Sequence, residues 1–185
     1  CRAQPAVKLD LACGNRCAAG YDGIDLYPLP AVRYLCDLTL RPWKFQPLEG
    51  EPFEPSDSSV EALRSSHFVE HVTDLVGFVN ECHRVLVPGG ELLVICPYQY
   101  SVGAWQDPTH VRAINESTFN YFSAEWRQEH DVDYYLGCTA DFGVRSVRPT
   151  NIAARFMGQS QEVIAEAIGS QVNVVHELTA VLVKR

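Results

Sequence analysis

Two groups of side chains in this 185-residue chain are suited to chemistry. Asp25 and Asp37 each close a short apolar stretch, and the histidines His67, His71 and His110 stand close to further acidic residues. A carboxylate at the end of a strand can accept hydrogen bonds from both hydroxyls of a ribose. An imidazole changes its charge near neutral pH and therefore suits proton transfer. The sequence thus indicates a site for a nucleoside-type cofactor beside a histidine-containing reaction site.

Short strands are predicted to position these carboxylates. Alternating apolar residues predict strands at 7–12, 22–27 and 33–38, and strand character resumes near 59–65. The stretch 41–57 contains four prolines, which lack the amide hydrogen that a sheet or a helix needs, so it is predicted to be a loop. The first half of the chain is therefore a series of short strands joined by loops.

Helices alternate with strands in the rest of the chain. Apolar residues at helical spacing predict a helix over 74–86, which Pro88-Gly89-Gly90 is expected to end. The apolar run 91–97 then predicts a strand that is covered on both faces. The remaining predicted elements are a helix at 116–128, a strand near 142–148, a helix around 161–168 and a strand near 172–183.

This alternation is typical of an α/β fold with a doubly wound, mostly parallel sheet. The length fits a single domain over residues 1–185. In such sheets ligands bind beyond the carboxyl ends of the strands, at the point where the strand order reverses. The rule predicts that Gly14, Asp25, Asp37 and the pair Ser66-His67 lie on one rim.

Composition narrows the classes of partner and compartment. A net charge of −8 disfavours binding to nucleic acid or to an anionic membrane, and no apolar run approaches the ~20 residues of a membrane span. Seven cysteines form no C-x-x-C pair, which predicts free thiols in a reducing compartment. No signal peptide is visible, although the chain begins at Cys1 without Met. We therefore predict a cytoplasmic protein.

Five segments, taken in order, resemble the core of class I S-adenosylmethionine (SAM) dependent methyltransferases of the type 11 kind. The most specific is ECHRVLVPGGELLVI (81–95), and the full set is 7–15, 21–28, 32–39, 60–72 and 83–98. The resemblance implies a seven-stranded Rossmann-like sheet, SAM as cofactor, S-adenosylhomocysteine as its product, and methyltransferase activity. Gly14 and Asp25 are only 11 positions apart, against the usual interval of about 20, so the first crossover is shortened and lacks its helix.

The resemblance also implies roles for individual cofactor-binding residues. Asp10 orders the first loop and reaches the methionine amino group, Asp37 binds the adenine amino group, and Ser66 and His67 border the sulfonium. The predicted cofactor-binding set is Asp10, Ala12, Gly14, Asn15, Asp25, Leu26, Asp37, Leu38, Ser66, His67 and His71.

The segment 101–123, with its DPTH and FNYF motifs, resembles the acceptor-binding loop of bacterial members of the family. The implied lining of the acceptor pocket is Tyr98, Trp105, Asp107, His110 and Arg112. Where the acceptor must lose a proton, His67 and His110 are the predicted catalytic bases. A hydrogen bond that orders the loop at Asp107 is the alternative for His110. We expect a small-molecule or glycan-type acceptor and no metal, with a homo-oligomer left open.

The pentapeptide HFVEH (67–71) supports a rival hypothesis, because it is also the H-x-x-E-H signature of a zinc hydrolase. On a helix, His67 and His71 would share one face and hold zinc beside Glu70 as general base. No glutamate in a helical setting stands out as the third ligand. We therefore place this hypothesis second to methyl transfer.

Two further alternatives concern the first loop. Ala12 stands at the first glycine position of the family motif and Arg16 at the third, which would suit a catalytically silent SAM-binding subunit. An NAD- or nucleotide-sugar-binding module is disfavoured, because both the G-x-G-x-x-G fingerprint and its helix are missing.

Overall fold

A computed structural model describes residues 7–185, except for the side chain of Tyr135. Its strands are β1 (Lys8–Leu11), β2 (Asp22–Asp25), β3 (Val32–Leu35), β4 (Gln46–Pro47), β5 (Val60–Ser66), β6 (Leu86–Pro97), β7 (Phe142–Ile152) and β8 (Val175–Lys184). Its α-helices are α1 (Leu75–Val85), α2 (Ala124–Glu129), α3 (Asp133–Leu136) and α4 (Gln161–Ser170). Short 3-10 turns lie at Val102–Ala104, Glu116–Phe122 and Ala154–Phe156.

All eight strands form one sheet in the order β4-β3-β2-β1-β5-β6-β8-β7. The five strands from β3 to β6 in this order run parallel, whereas β4, β8 and β7 pair antiparallel. The mostly parallel α/β prediction is confirmed. The eighth strand is the two-residue β4, which forms within the proline-rich stretch that was predicted to be a loop.

The chain leaves β1 toward β2 on one side and later returns to place β5 on the other. This reversal makes the carboxyl ends of β1 and β5 the switch point where such sheets bind ligands. The connection 12–21 contains no helix, which confirms the shortened first crossover. Gly23 packs tightly here, because a Cβ atom at that position would lie 2.3 Å from the carbonyl oxygen of Ala31. Only glycine fits this approach of two backbones.

Helix α1 begins and ends where its local hydrogen bonds require. The carboxylate of Asp74 accepts a hydrogen bond at 2.8 Å from the amide of Gly77 and caps the first turn. The helix ends at Val85, and Leu86 is already extended. The prediction that Pro88-Gly89-Gly90 ends the helix is therefore wrong. Those residues form an irregularity inside β6, where the pairing jumps from Leu86 to Glu91.

Strand β6 is covered unequally on its two faces. Leu92, Val94 and Cys96 are buried, while Leu93 and Ile95, which point to the opposite face, are only partly buried. The predicted full cover on both faces is thus incomplete. The connections β1–β2 and β2–β3 contain no helix, and this leaves less of the chain to cover that face.

The later elements match the predictions in kind. Residues 116–128 divide into a 3-10 turn and α2, because the hydroxyl of Ser123 caps a new helix. The six cysteines within the described range are free, and Cys1 lies outside it. Among residues 7–185, no helix is long and apolar enough to cross a bilayer.

Candidate active site

Asp10 lies at the centre of the rim and is completely buried. Its carboxylate accepts a hydrogen bond at 2.7 Å from the amide of Ala18 and pairs with Arg64 at 2.8 Å. The first contact ties the middle of the 12–21 loop to β1, as the role of ordering the loop requires. The contact with a methionine amino group remains a prediction.

Two residues of the first loop adopt left-handed backbone conformations. Gly14 has φ of +58° and Ala12 has φ of +54°. An L-residue pays roughly 1–2 kcal/mol for this conformation, whereas glycine adopts it freely. Ala12 thus adopts a backbone conformation that favours glycine, at a cost in stability. Asn15 and Arg16 follow on the exposed surface of the loop.

Asp25 links the first loop to the end of β2. One oxygen accepts from the amide of Gly14 at 2.9 Å, and the other accepts from the amide of Tyr27 at 3.1 Å. A carboxylate has about four acceptor sites, so two remain for the hydroxyls of a ribose. Leu26 follows directly and is 53% exposed, which leaves an apolar side chain available beside Asp25.

Asp37 closes a turn after β3. One of its oxygens, Oδ1, accepts both from the amide of Thr39 at 2.9 Å and from its hydroxyl at 2.6 Å. Because both bonds use Oδ1, Oδ2 can accept a hydrogen bond from an amino group of a ligand. Leu38 is buried in the core, so only its backbone is available to a cofactor.

His67 lies at the carboxyl end of β5, directly after the half-buried Ser66. Its Nε2 is 3.0 Å from a carboxylate oxygen of Glu177, and its Nδ1 is 3.6 Å from the carboxylate of Glu70. Glu70 above all, with Glu177, raises the pKa of His67. The ring therefore sits between two carboxylates and binds its proton more tightly than a free histidine.

A cleft of about 340 Å³ opens beside His67 at the carboxyl ends of β5 and β6 and the amino end of β8. It contains four of the residues that the sequence predicted for the site. The lining is His67, Glu70, His71, Pro97, Gly103, Gln106, Asp107, His110, His176 and Glu177. The rings of His71 and His110 meet edge to face, with their centres 4.6 Å apart.

Three predicted acceptor-binding residues lie away from this cleft. Tyr98 is buried in the core, where burial and then Glu116 raise its pKa to about 12. Arg112 donates to the carbonyl oxygens of Val72 and Thr73 and holds that loop in place. Trp105 is largely exposed and lines a neighbouring groove of about 350 Å³. Tyr98 packs in the core and Arg112 positions a loop, and their contact with an acceptor stays a prediction.

The helix that the zinc-hydrolase hypothesis needs is not formed. Residues 67–73 make turns before α1 begins at Leu75, and His67 has a left-handed φ of +53°. Without a helix, His67 and His71 do not share a face at the spacing of one turn. This part of the rival hypothesis is wrong.

The sequence did not lead us to Gln106, His176 or Glu177 as site residues. The last two stand at the beginning of β8, more than 100 positions from His67. The predicted last strand near 172–183 could have located them. If that strand runs antiparallel to its neighbours, its amino end lies beside their carboxyl ends. Recognising β8 as antiparallel would have placed Glu177 on the rim.

Comparison with known proteins supports the same fold. Residues 9–94 match the family model described as a methyltransferase domain. A curated protein from Mycolicibacterium smegmatis, named a probable S-adenosylmethionine-dependent methyltransferase, is 38% identical over 63 residues. The match covers 32% of this chain and 24% of that protein, so only a small part of the relative is matched.

Solved structures match over nearly the whole chain. A SAM-dependent methyltransferase from Archaeoglobus fulgidus aligns with 97% of this chain and 87% of its own, at a TM-score of 0.59 and 16% identity. The cyclase SpnF aligns with 97% of this chain and 75% of its own, at a TM-score of 0.53 and 16% identity. Proteins of different activities thus share the fold. Residues 9–94 are thus similar to the methyltransferase-domain family, and the chain as a whole has the fold seen in a solved SAM-dependent methyltransferase.

Proposed function

We propose that this chain transfers a methyl group from SAM to a small-molecule or glycan-type acceptor bound in the cleft beside His67. The observation that carries the proposal is the rim itself. Asp25 holds the first loop through Gly14 at the carboxyl end of β2, and the cleft opens at the carboxyl ends of β5 and β6, on the same edge of the sheet. The cofactor would lie along the ends of β1 to β3, with its sulfonium near Ser66 and His67.

The chemical step is an in-line displacement. The nucleophilic atom of the acceptor forms a bond to the methyl carbon while the carbon–sulfur bond breaks. The electron pair of that bond remains on sulfur and leaves neutral S-adenosylhomocysteine. The protein has to align the two reactants and exclude water, and it needs a base only when the acceptor must lose a proton.

His67 is the base that the geometry supports best. Its Nε2 lies 3.0 Å from Glu177, so a carboxylate stabilises the imidazolium that forms when the ring accepts a proton. The raised pKa makes the ring a stronger base, and it acts in the neutral form, at pH values above that pKa. His110 lines the same cleft and is the second candidate for this role.

The conformation of Ala12 bears on the alternative that the chain is a SAM-binding subunit without catalytic activity. The residue departs from the glycine motif but takes the left-handed conformation that a glycine would take. This conformation supports the proposal that the loop still binds the cofactor despite the substitution. The free thiols of the described cysteines favour a reducing compartment, and we propose that the reaction takes place in the cytoplasm.

The direct test is transfer of a labelled methyl group from SAM. The protein is incubated with hydroxyl- and amine-bearing small molecules and with soluble glycans, and the products are separated from SAM. Label in an acceptor that is lost in His67→Ala supports the proposal. Tight binding of SAM with no transfer to any acceptor class would favour the silent subunit instead.

A further inference from the structure

Three side chains of the cleft converge as metal ligands do. One ring nitrogen each from His71 and His110 and one carboxylate oxygen of Glu70 all lie within 4.8 Å of one another. Around a tetrahedral zinc ion, ligand atoms at ~2.0–2.2 Å from the metal stand about 3.3 Å apart. Side-chain rotations that move these atoms by about 1 Å would close the site around an ion.

The carboxylate of Glu70 provides an independent reason to expect a cation. Glu70 is only 2% exposed, and neither oxygen has a hydrogen-bond partner among the described residues. The nearest basic group is Nδ1 of His67 at 3.6 Å, which is beyond hydrogen-bond distance. A buried carboxylate without hydrogen bonds is costly unless a cation lies against it. Glu70 is one of the residues that line the cleft.

Both histidines are held in the orientation of metal ligands. Nδ1 of His110 is 3.2 Å from the carbonyl oxygen of Ala104, which can only accept, so Nδ1 carries the hydrogen. Nδ1 of His71 is 2.9 Å from the hydroxyl of Thr109, and that hydroxyl donates to Asp107 at 2.7 Å. Thr109 must therefore accept from His71. In both rings Nε2 keeps its lone pair, the arrangement in which outer partners orient metal-binding histidines.

We propose that Glu70, His71 and His110 bind one divalent transition-metal ion of the zinc type. Two imidazoles and one carboxylate form the ligand set of catalytic zinc sites, which keep a fourth position open. This set differs from the H-x-x-E-H arrangement, which would use His67, and from the metal-free pocket expected from the sequence. It makes His110 a ligand and leaves His67 as the base.

The open position identifies an acceptor class. A hydroxyl that coordinates a divalent cation has a lowered pKa and becomes a better nucleophile at neutral pH. The acceptor would then be an alcohol or a phenol that binds through oxygen, and its proton would pass to His67. This step rests on the proposed methyl transfer, whereas binding of the metal does not.

The test is calorimetric titration of zinc ions into chelator-treated protein, repeated with cobalt ions to record the visible spectrum of the bound metal. We expect one equivalent to bind. Glu70→Gln and His110→Asn should each lower the affinity by more than about 100-fold, beyond the 10–100-fold typical of losing an outer partner. His176→Asn alters a residue that lines the cleft outside the ligand set and should change the affinity less than about threefold.

His67→Asn separates the two ligand sets. The variant should retain zinc if the ion lies between Glu70, His71 and His110, and should lose it if H-x-x-E-H is the site. Loss in His67→Asn with retention in His110→Asn would overturn the proposal, and so would failure of the unmodified protein to bind zinc. Thermal unfolding of each variant shows whether it is folded.

Substitutions of Thr109 test whether its hydroxyl orients His71 for metal binding, without removing a ligand. Thr109→Val removes the hydroxyl and should weaken zinc binding about 10–100-fold, while Thr109→Ser should restore it. A parallel titration with S-adenosylhomocysteine keeps the two proposals apart. Cofactor binding without zinc binding refutes the metal site alone, and zinc binding without cofactor binding refutes the methyltransferase proposal alone.

Discussion

The proposed cofactor rim, with the carboxylates of Asp10, Asp25 and Asp37, differs from the proposed acceptor cleft around Glu70 in the hydrogen bonds that its carboxylates accept. Each carboxylate of the rim accepts backbone amides of its own loop or strand end. The carboxylate of Glu70 is buried, yet no described group donates a hydrogen bond to it. The rim is therefore complete as a scaffold before a ligand binds, while the carboxylate of Glu70 accepts no hydrogen bond and has only the His67 ring near it, at 3.6 Å.

This difference separates two kinds of site. Hydrogen bonds from the backbone fix the shape of a loop and leave part of each carboxylate's acceptor capacity for a ligand. An unpaired buried charge stores unfavourable free energy that a ligand or an ion can relieve. We expect substitutions in the rim to act mainly on stability and cofactor binding, and substitutions in the cleft to act mainly on reactivity and ion binding.

Arg64→Ala should have the largest effect on stability. The arginine pairs with Asp10, which is fully buried, so its removal leaves a buried carboxylate without its counter-charge. Breaking such a pair costs about 3 kcal/mol or more in the free energy of unfolding. Arg33→Ala is the matched control, because it breaks the exposed pair with Asp22 and should cost less than about 1 kcal/mol. Urea unfolding of both variants measures the difference, and equal costs would contradict the account.

Glu70→Gln should raise the free energy of unfolding of the metal-free protein, whereas Arg64→Ala lowers it. In chelator-treated protein, at a pH where the His67 ring is neutral, the substitution replaces a buried carboxylate that accepts no hydrogen bond by a neutral amide of the same shape. We expect the variant to be about 2 kcal/mol more stable than the unmodified protein in the absence of metal. With saturating zinc the order should reverse. A variant that is destabilised without metal would show that Glu70 is already balanced within the protein.

The sequence predicted the rim far better than the cleft, for a physical reason. Asp10, Asp25 and Asp37 each stand at or just beyond the end of a strand that contributes to the rim, so strand prediction and the family pattern located them. The cleft joins side chains from three separate regions, 67–71, 103–110 and 176–177. Their meeting depends on the antiparallel pairing of β8 with β6, which no local pattern predicts. For the same reason, the pentapeptide at 67–71 suggested a helix that tertiary structure does not allow.

Ala12→Gly tests whether the left-handed conformation of the first loop lowers the stability of the protein. Glycine adopts the left-handed conformation at this position without steric cost, so the variant should be stabilised by about 1 kcal/mol. The affinity for S-adenosylhomocysteine should stay the same or rise. Thermal unfolding and calorimetry measure the two effects, and a destabilised variant would show that the methyl group of Ala12 makes packing contacts of its own.

Glu177→Gln should produce the smallest change, a lowered pKa of His67. Glu70 and Glu177 favour the charged ring and raise its pKa in the folded protein. Their contribution to stability is present below the ordinary histidine pKa of about 6.5 and is lost as the pH rises through the folded value. Removing the charge of Glu177 should shift the NMR titration of the His67 ring to lower pH. An unchanged titration would exclude Glu177 as a partner of the base.

Calorimetric titration with S-adenosylhomocysteine is the decisive test of the proposed cofactor site. We expect one site in the unmodified protein, loss of binding in Asp25→Ala, and retained binding in Asp22→Ala, which changes a carboxylate at the opposite end of the same strand. Failure of the unmodified protein to bind S-adenosylhomocysteine, or equal binding by all three proteins, would contradict the assignment of the rim as a cofactor site.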